Sequence, residues 1–300
     1  MLWLILALIA ALATSLTTVF AKIGIKDVPS DFATFFRTGI VLVCAAGLCF
    51  ITGSWNQVPN LTPSNWIFLV LSGLCTGCSW LCYYRALQLS SVNRVAPIDK
   101  SSFLLTSILF LIFFFNDVTK GGDPLVIGML FASMALMLGG TLLMAWPKKE
   151  EGRVSKKWIF YAVGSAVFAS LVSLFVKIGL QGMSSDLGTF LRTVVVLIFS
   201  GAIALARKQT KGLKAVSPKS WVFLTLSGLA TGVAWLGEYY ALNMEGVNPV
   251  AVNAIGKLSI LLTMLFSATV LKERFSWKSL LGLGLLTGGI ILIVVFSLCT

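Results

Sequence analysis

The chain has 300 residues, of which 57% are hydrophobic and only 11% charged, and its mean hydropathy is +0.94. Soluble domains are about half apolar and about a quarter charged, so a water-soluble globular protein is excluded. The net charge of +12 does not indicate nucleic acid, because the basic residues are spread through short connections between apolar runs and form no basic face.

Ten apolar segments follow one another. They cover roughly 2–22, 32–52, 66–88, 94–115 and 124–146, then 158–177, 187–206, 221–242, 249–271 and 277–297. Each approaches the roughly 20 residues that cross a bilayer as a helix. The first, within MLWLILALIAALATS, has the apolar core of a signal peptide but no basic start, and its counterpart at 158–177 predicts that it is kept as a helix. Turn-forming stretches such as GSWNQVPNLTPSN (53–65) and NDVTKGGDP (116–124) separate the segments. Asn248-Pro249 predicts an N-cap followed by a first-turn proline, and Asp31 and Asp186 are expected to cap the second helix of each half.

The two halves repeat one another at an offset of 155. Lys22-Ile23-Gly24 recurs as Lys177-Ile178-Gly179, DFATFFRT (31–38) as DLGTFLRT (186–193), and LSGLCTGCSWLCYY (71–84) as LSGLATGVAWLGEY (226–239). After Ala96 the offset becomes 157, which aligns Lys100 with Lys257. The expected organisation is therefore a first repeat over 1–146, a basic linker PKKEEGRVSKK over 147–157, and a second repeat over 158–300. Cys75, Cys78 and Cys82 correspond to Ala230, Val233 and Gly237, and the chain has no histidine. They are expected to be buried structural thiols, with no metal. Gly73-x-x-x-Gly77 and Gly228-x-x-x-Gly232, present in both copies, have the spacing that lets helices approach closely in lipid.

Of the 23 Lys and Arg, seventeen fall in odd-numbered connections or at the segment ends that border them, only Lys120 in an even one, and five inside segments. The positive-inside rule then puts the odd connections in the cytoplasm and both termini outside. Five segments per copy is an odd number, so the second copy enters from the opposite side. The charge follows that inversion, since loop 53–65 has no basic residue and its counterpart before Trp221 has five. The expected fold is an all-α integral membrane protein with ten transmembrane helices in two inverted five-helix repeats, in a bacterial plasma membrane. Secondary transporters are commonly built this way.

YYRALQLSSVNRVAPIDKSSFLLT (83–106) and LKERFSWKSLLGLGLLTGGIILI (271–293) resemble EamA-type members of the drug/metabolite transporter superfamily, and the resemblance extends over nearly the whole chain. It implies a ten-helix carrier with a central cavity lined mainly by helices one, three, four, six, eight and nine. The family's L-x-E-R motif is kept as Leu271-Lys272-Glu273-Arg274, while the first copy reads FFFNDV (113–118). The superfamily's substrates range over amino acids, sugars, drugs and polyamine-like cations.

Ionisable residues inside a span are costly and mark candidate sites. Glu238 is read as a proton acceptor or cation ligand, or as a partner of Arg192 or Lys257. The repeat mates Arg37 and Arg192 are read as snorkelling beside Asp31 and Asp186, or as gate residues or anion ligands. The mates Lys100 and Lys257 suit a substrate carboxylate or phosphate, unless Asp99 neutralises Lys100. Trp80 with Trp235, and Tyr84 with Tyr239, are packing aromatics or a cavity wall for an apolar or cationic substrate.

The expected function is secondary active transport of a small metabolite by alternating access. Its partners are that small-molecule substrate and the lipid bilayer; any coupling proton rests on Glu238, another acid or the substrate. A drug or organic-cation exporter is the alternative, with a lipid flippase further off. An enzyme is not expected, because there is no histidine, phosphate-binding loop or carboxylate pair, and no cofactor is implied. Oligomeric state is not legible.

Overall fold

The computed structural model describes residues 2–25, 28–89, 95, 98–99, 101–144, 157–209, 216–270 and 276–299, and these are helical with no strand. The helices are α1 (Leu2–Gly24), α2 (Ser30–Thr52), α3 (Pro63–Leu89), α4 (Ser102–Phe113), α5 (Phe115–Thr119) and α6 (Pro124–Met144). The second half holds α7 (Lys157–Gly179), α8 (Ser185–Ala206), α9 (Pro218–Asn243), α10 (Pro249–Gly256), α11 (Ser259–Val270) and α12 (Trp277–Cys299). A 3-10 turn, Ser54–Asn60, follows α2. Among the described residues, eight helices are long and apolar enough to cross a membrane: α1, α2, α3, α6, α7, α8, α9 and α12.

Local chemistry sets several ends. Asn248 accepts from the N–H of Val250 with Pro249 in the first turn of α10, as the sequence predicts, and Ser217 does the same for Ser220 ahead of Pro218 in α9. Gly53, at φ +70°, closes α2 in the left-handed conformation that glycine adopts without strain. The capping expected of Asp31 and Asp186 is not observed. The N-caps of α2 and α8 are Pro29 and Ser184, neither with a side-chain cap bond, and both aspartates sit in the first turn and reach other elements.

Segments four and nine are interrupted. Segment nine divides into α10 and α11 at Lys257-Leu258, and α4 begins only after the turn at Ser101. Ser101 N–H donates to Ile98 O at 3.1 Å and Leu258 N–H to Ile255 O at 2.9 Å, the same three-residue bond at positions 157 apart. A second break lies at Phe114, where φ −130° and ψ 44° leave the helical region.

The chain forms two compact units, each drawing on both halves of the sequence. The first holds residues 1–77 and 175–245; here α1 packs along α9, and α2 along α8 and α9. Its close approaches occur in reciprocal pairs. A Cβ on Gly24 would meet Leu224 at 2.9 Å, and one on Gly179 would meet Leu69 at 3.0 Å. Gly73 lies against Val195 (2.7 Å) and Gly228 against Ile40 (2.8 Å) in the same way. Each contact recurs when both residues move by 155. Glycines of both G-x-x-x-G pairs thus serve close helix contact, as their spacing predicts.

The second unit holds residues 78–174 and 246–300, with α6 packed along α12. A Cβ on Gly140 would lie 2.5 Å from Gly282 O and close to Leu286; one on Gly289 would lie 2.8 Å from Ser133 O and close to Met137. This seam repeats at an offset of 149, where the backbones are too close for any side chain.

Cys75, Cys78 and Cys82 are half-buried on α3, not fully buried as expected, because that helix turns part of this face away from its neighbours. Residues 147–156 of the expected linker, Lys100, Arg94, the Leu271–Arg274 motif and the side chain of Tyr84 lie outside the described residues.

Candidate functional site

Arg192, two turns into α8, is only 2% exposed. Its Nη2 donates to Thr76 Oγ1 of α3 at 2.7 Å. Its Cζ lies 4.5 Å from the ring centroid of Trp235 and 5.5 Å from that of Tyr239, two residues one turn apart on α9. Thr76 gives its own proton to Ser72 O at 2.8 Å, which leaves its oxygen to accept from the guanidinium. Nε and Nη1 of Arg192 are buried without a hydrogen-bond partner. An unpartnered buried donor costs about 1–3 kcal/mol, and more when charged.

No carboxylate pairs with Arg192 among the described residues. Asp186, six residues earlier, accepts instead from Thr52 Oγ1 and, at 2.7 Å, from Ser54 Oγ. Glu238 lies half-buried on α9 beside Tyr239 and is not Arg192's partner either. The sequence expectation that Asp186 lies beside this arginine as its partner therefore fails, because that carboxylate is engaged by Thr52 and Ser54.

The repeat mate reproduces the chain of bonds. Arg37 Nη2 on α2 donates to Thr231 Oγ1 on α9 at 3.0 Å, and Thr231 donates to Ser227 O at 2.7 Å. Arg37 and Arg192, Thr231 and Thr76, and Ser227 and Ser72 are all 155 apart. Asp31 does not pair with Arg37 but with Arg207 at 2.9 Å, and its N–H donates to Gln209 Oε1. Unlike Arg192, Arg37 is only half-buried.

A second polar cluster lies in the other unit. Ser165 Oγ on α7 donates to Asp99 Oδ1 at 2.6 Å, and Ser79 Oγ on α3 donates to Ser165 O at 3.1 Å. Two turns further along α7, Ser173 Oγ accepts from Asn253 Nδ2 of α10 at 3.3 Å, and the buried Oδ1 of Asn253 has no partner. Lys257, at the break between α10 and α11, lines a small pocket with Ser101, Thr141, Met137 and Leu286. The sequence reading gave Asp99 no role beyond neutralising Lys100 and passed over Ser165 and Ser173. Their spacing of eight along an apolar run, which puts both hydroxyls on one helix face, was the available signal. Trp80 is half-buried on α3, in this second unit.

Long apolar helices that hold charged and hydroxyl groups inside their spans define an integral membrane protein. Residues 1–143 and 156–295 match the sequence profile of the EamA-like transporter family, and the chain belongs to that family, within the drug/metabolite transporter superfamily. An uncharacterised transporter encoded in the cobO 3' region of Sinorhizobium sp is 40% identical over 143 residues, 48% of this chain and 96% of that protein. A Listeria monocytogenes protein provisionally named for sugar uptake is 23% identical over 246 residues, 80% of each chain. A solved crystal structure has the same fold with a TM-score of 0.73 at 14% identity, covering 98% of this chain and 97% of that one. Family and relatives indicate a transporter, not an enzyme.

Proposed function

We propose that the protein is a secondary active transporter that moves a small polar metabolite by alternating access. It is built as ten membrane-spanning helices in two inverted five-helix repeats, 1–146 and 158–300, joined by a cytoplasmic linker, with both termini outside. The observation that carries this reading is the reciprocal pairing of Arg192 with Thr76 and Arg37 with Thr231. Contacts that return when both partners move by 155 residues express a two-fold relation between the copies. With five spans per copy the axis of that relation lies in the membrane plane, as in other inverted-repeat carriers.

On this reading the two arginine sites serve opposite sides of the membrane. They are chemically alike but differently enclosed, since Arg192 is sealed and Arg37 is half-buried. Exchange of these two environments opens one side as it closes the other, between states of similar energy. Glu238 is the proposed carrier of a coupling proton. The name of the Listeria relative supports sugars among the candidate substrates. Saturable counterflow in proteoliposomes tests the proposal: trapped substrate should accelerate entry of labelled substrate, whereas linear, non-saturating flux would mark a pore and refute it.

A further inference from the structure

We infer that the transported compound carries an anionic group, a carboxylate or a phosphate, and that Arg192 is the residue that receives it. This rests on the transporter reading and adds the substrate's chemical class. Thr76 takes one N–H of Nη2, and Nε and Nη1 have no acceptor although the side chain is 2% exposed. No acidic side chain among the described residues forms an ion pair with it. The rings of Trp235 and Tyr239 lie against the guanidinium, while its N–H groups lie in the guanidinium plane. That is the plane in which a carboxylate or phosphate oxygen binds arginine.

A neutral hydroxyl satisfies the donors but leaves a buried charge uncompensated; an anion supplies both the acceptor and the opposite charge. A cationic substrate would be repelled, and the aromatic surface it would need is already occupied by Arg192. Arg37, bonded to Thr231, is the matching arginine of the other copy.

The experiment uses the full chain in phosphatidylcholine nanodiscs and a matched series of one carbon skeleton in different charge states. D-glucose, D-glucosamine, D-glucuronate and D-glucose 6-phosphate form one set, lactate and lactamide another. Thermal unfolding is followed with each compound, because a ligand that binds the native state raises its melting temperature. The expected result is a rise with an anionic member and none with its neutral or cationic counterpart, lost in Arg192→Gln and weakened in Arg192→Lys. If Arg192→Gln does not fold, the comparison across charge states in the unmodified protein decides alone.

Equal shifts from neutral and anionic members, a shift that survives Arg192→Gln, or no shift from any anion overturns the inference. Stabilisation by phosphatidylglycerol nanodiscs with no effect of soluble anions also overturns it, because the anion is then a lipid headgroup. Counterflow of neutral compounds alone would sink this inference and leave the transporter standing. Anion binding without counterflow would do the reverse.

Discussion

Arg192 Nη2 donates to Thr76 Oγ1 at 2.7 Å, a bond from α8 to α3 that links the second half of the sequence to the first. It is one of a pair, because Arg37 bonds Thr231 in the same way from the other direction. Asymmetric burial of these mates distinguishes two sites of equal chemistry, and their energetic consequences differ accordingly.

Thr76→Val removes the one acceptor of a sealed guanidinium, with an expected loss of about 1–3 kcal/mol of stability. Thr231→Val should cost less, since the half-buried Arg37 can recruit water. Denaturant unfolding of the two purified variants, side by side, checks the order. Equal losses would show that burial does not separate the sites.

The seam between α6 and α12 has no space for a side chain at Gly140 or Gly282, where an added Cβ would lie 2.5 Å from a carbonyl oxygen of the facing helix. Gly140→Ala and Gly282→Ala should each destabilise by about 1–3 kcal/mol through overpacking. Gly284 and Gly288 on the same helix α12 have nothing within 4 Å, and alanine there should be tolerated. Melting temperatures of the four variants provide the comparison, and a tolerated Gly140→Ala would mean that the helices are further apart.

Two equivalent aspartates should respond differently to removal. Asp31 pairs with Arg207, which is 42% exposed, so Asp31→Ala should cost no more than about 1 kcal/mol, and less at high salt. Asp186 is fully buried and accepts from two hydroxyls, so Asp186→Ala removes both bonds from inside the protein and should cost about 1–3 kcal/mol with little dependence on salt. Unfolding at low and high ionic strength separates the two cases.

These relationships also show what could be read from residue order. The 155-residue repeat was legible because close packing depends on residue type: only glycine fits opposite Leu224 or Leu69, so Gly24 and Gly179 mark the same contact twice. Partner choice was not legible. Asp31 and Asp186 look like caps, yet they bond Arg207 in one case and Thr52 with Ser54 in the other, residues far away in sequence. The interruption at Lys257-Leu258 carries no proline, and an apolar run reads as continuous when only its hydropathy is followed; at Ser101 the signal was Pro97 and the charged Asp99-Lys100 just before it. The Asp99–Ser165–Ser79 cluster escaped notice because serine in an apolar helix usually bonds its own backbone.

Glu238, half-buried on α9, is the test of coupling. Glu238→Gln keeps the shape and removes the titratable group, so transport should be abolished or lose its dependence on pH. Flux across a pH series in proteoliposomes measures this, and a wild-type rate and profile in the variant would exclude Glu238 from the coupling step.

The central claim, that the second five-helix copy is inverted relative to the first, is tested most directly by the sidedness of two equivalent loops. Single cysteines are placed at Asn60, in the turn Ser54–Asn60, and at Lys208, just after α8, with the native cysteines replaced. Each is challenged in intact cells with an impermeant thiol reagent. The inverted-repeat account predicts that Asn60→Cys is labelled from outside and Lys208→Cys only after the membrane is opened; labelling of both from the same side would contradict it.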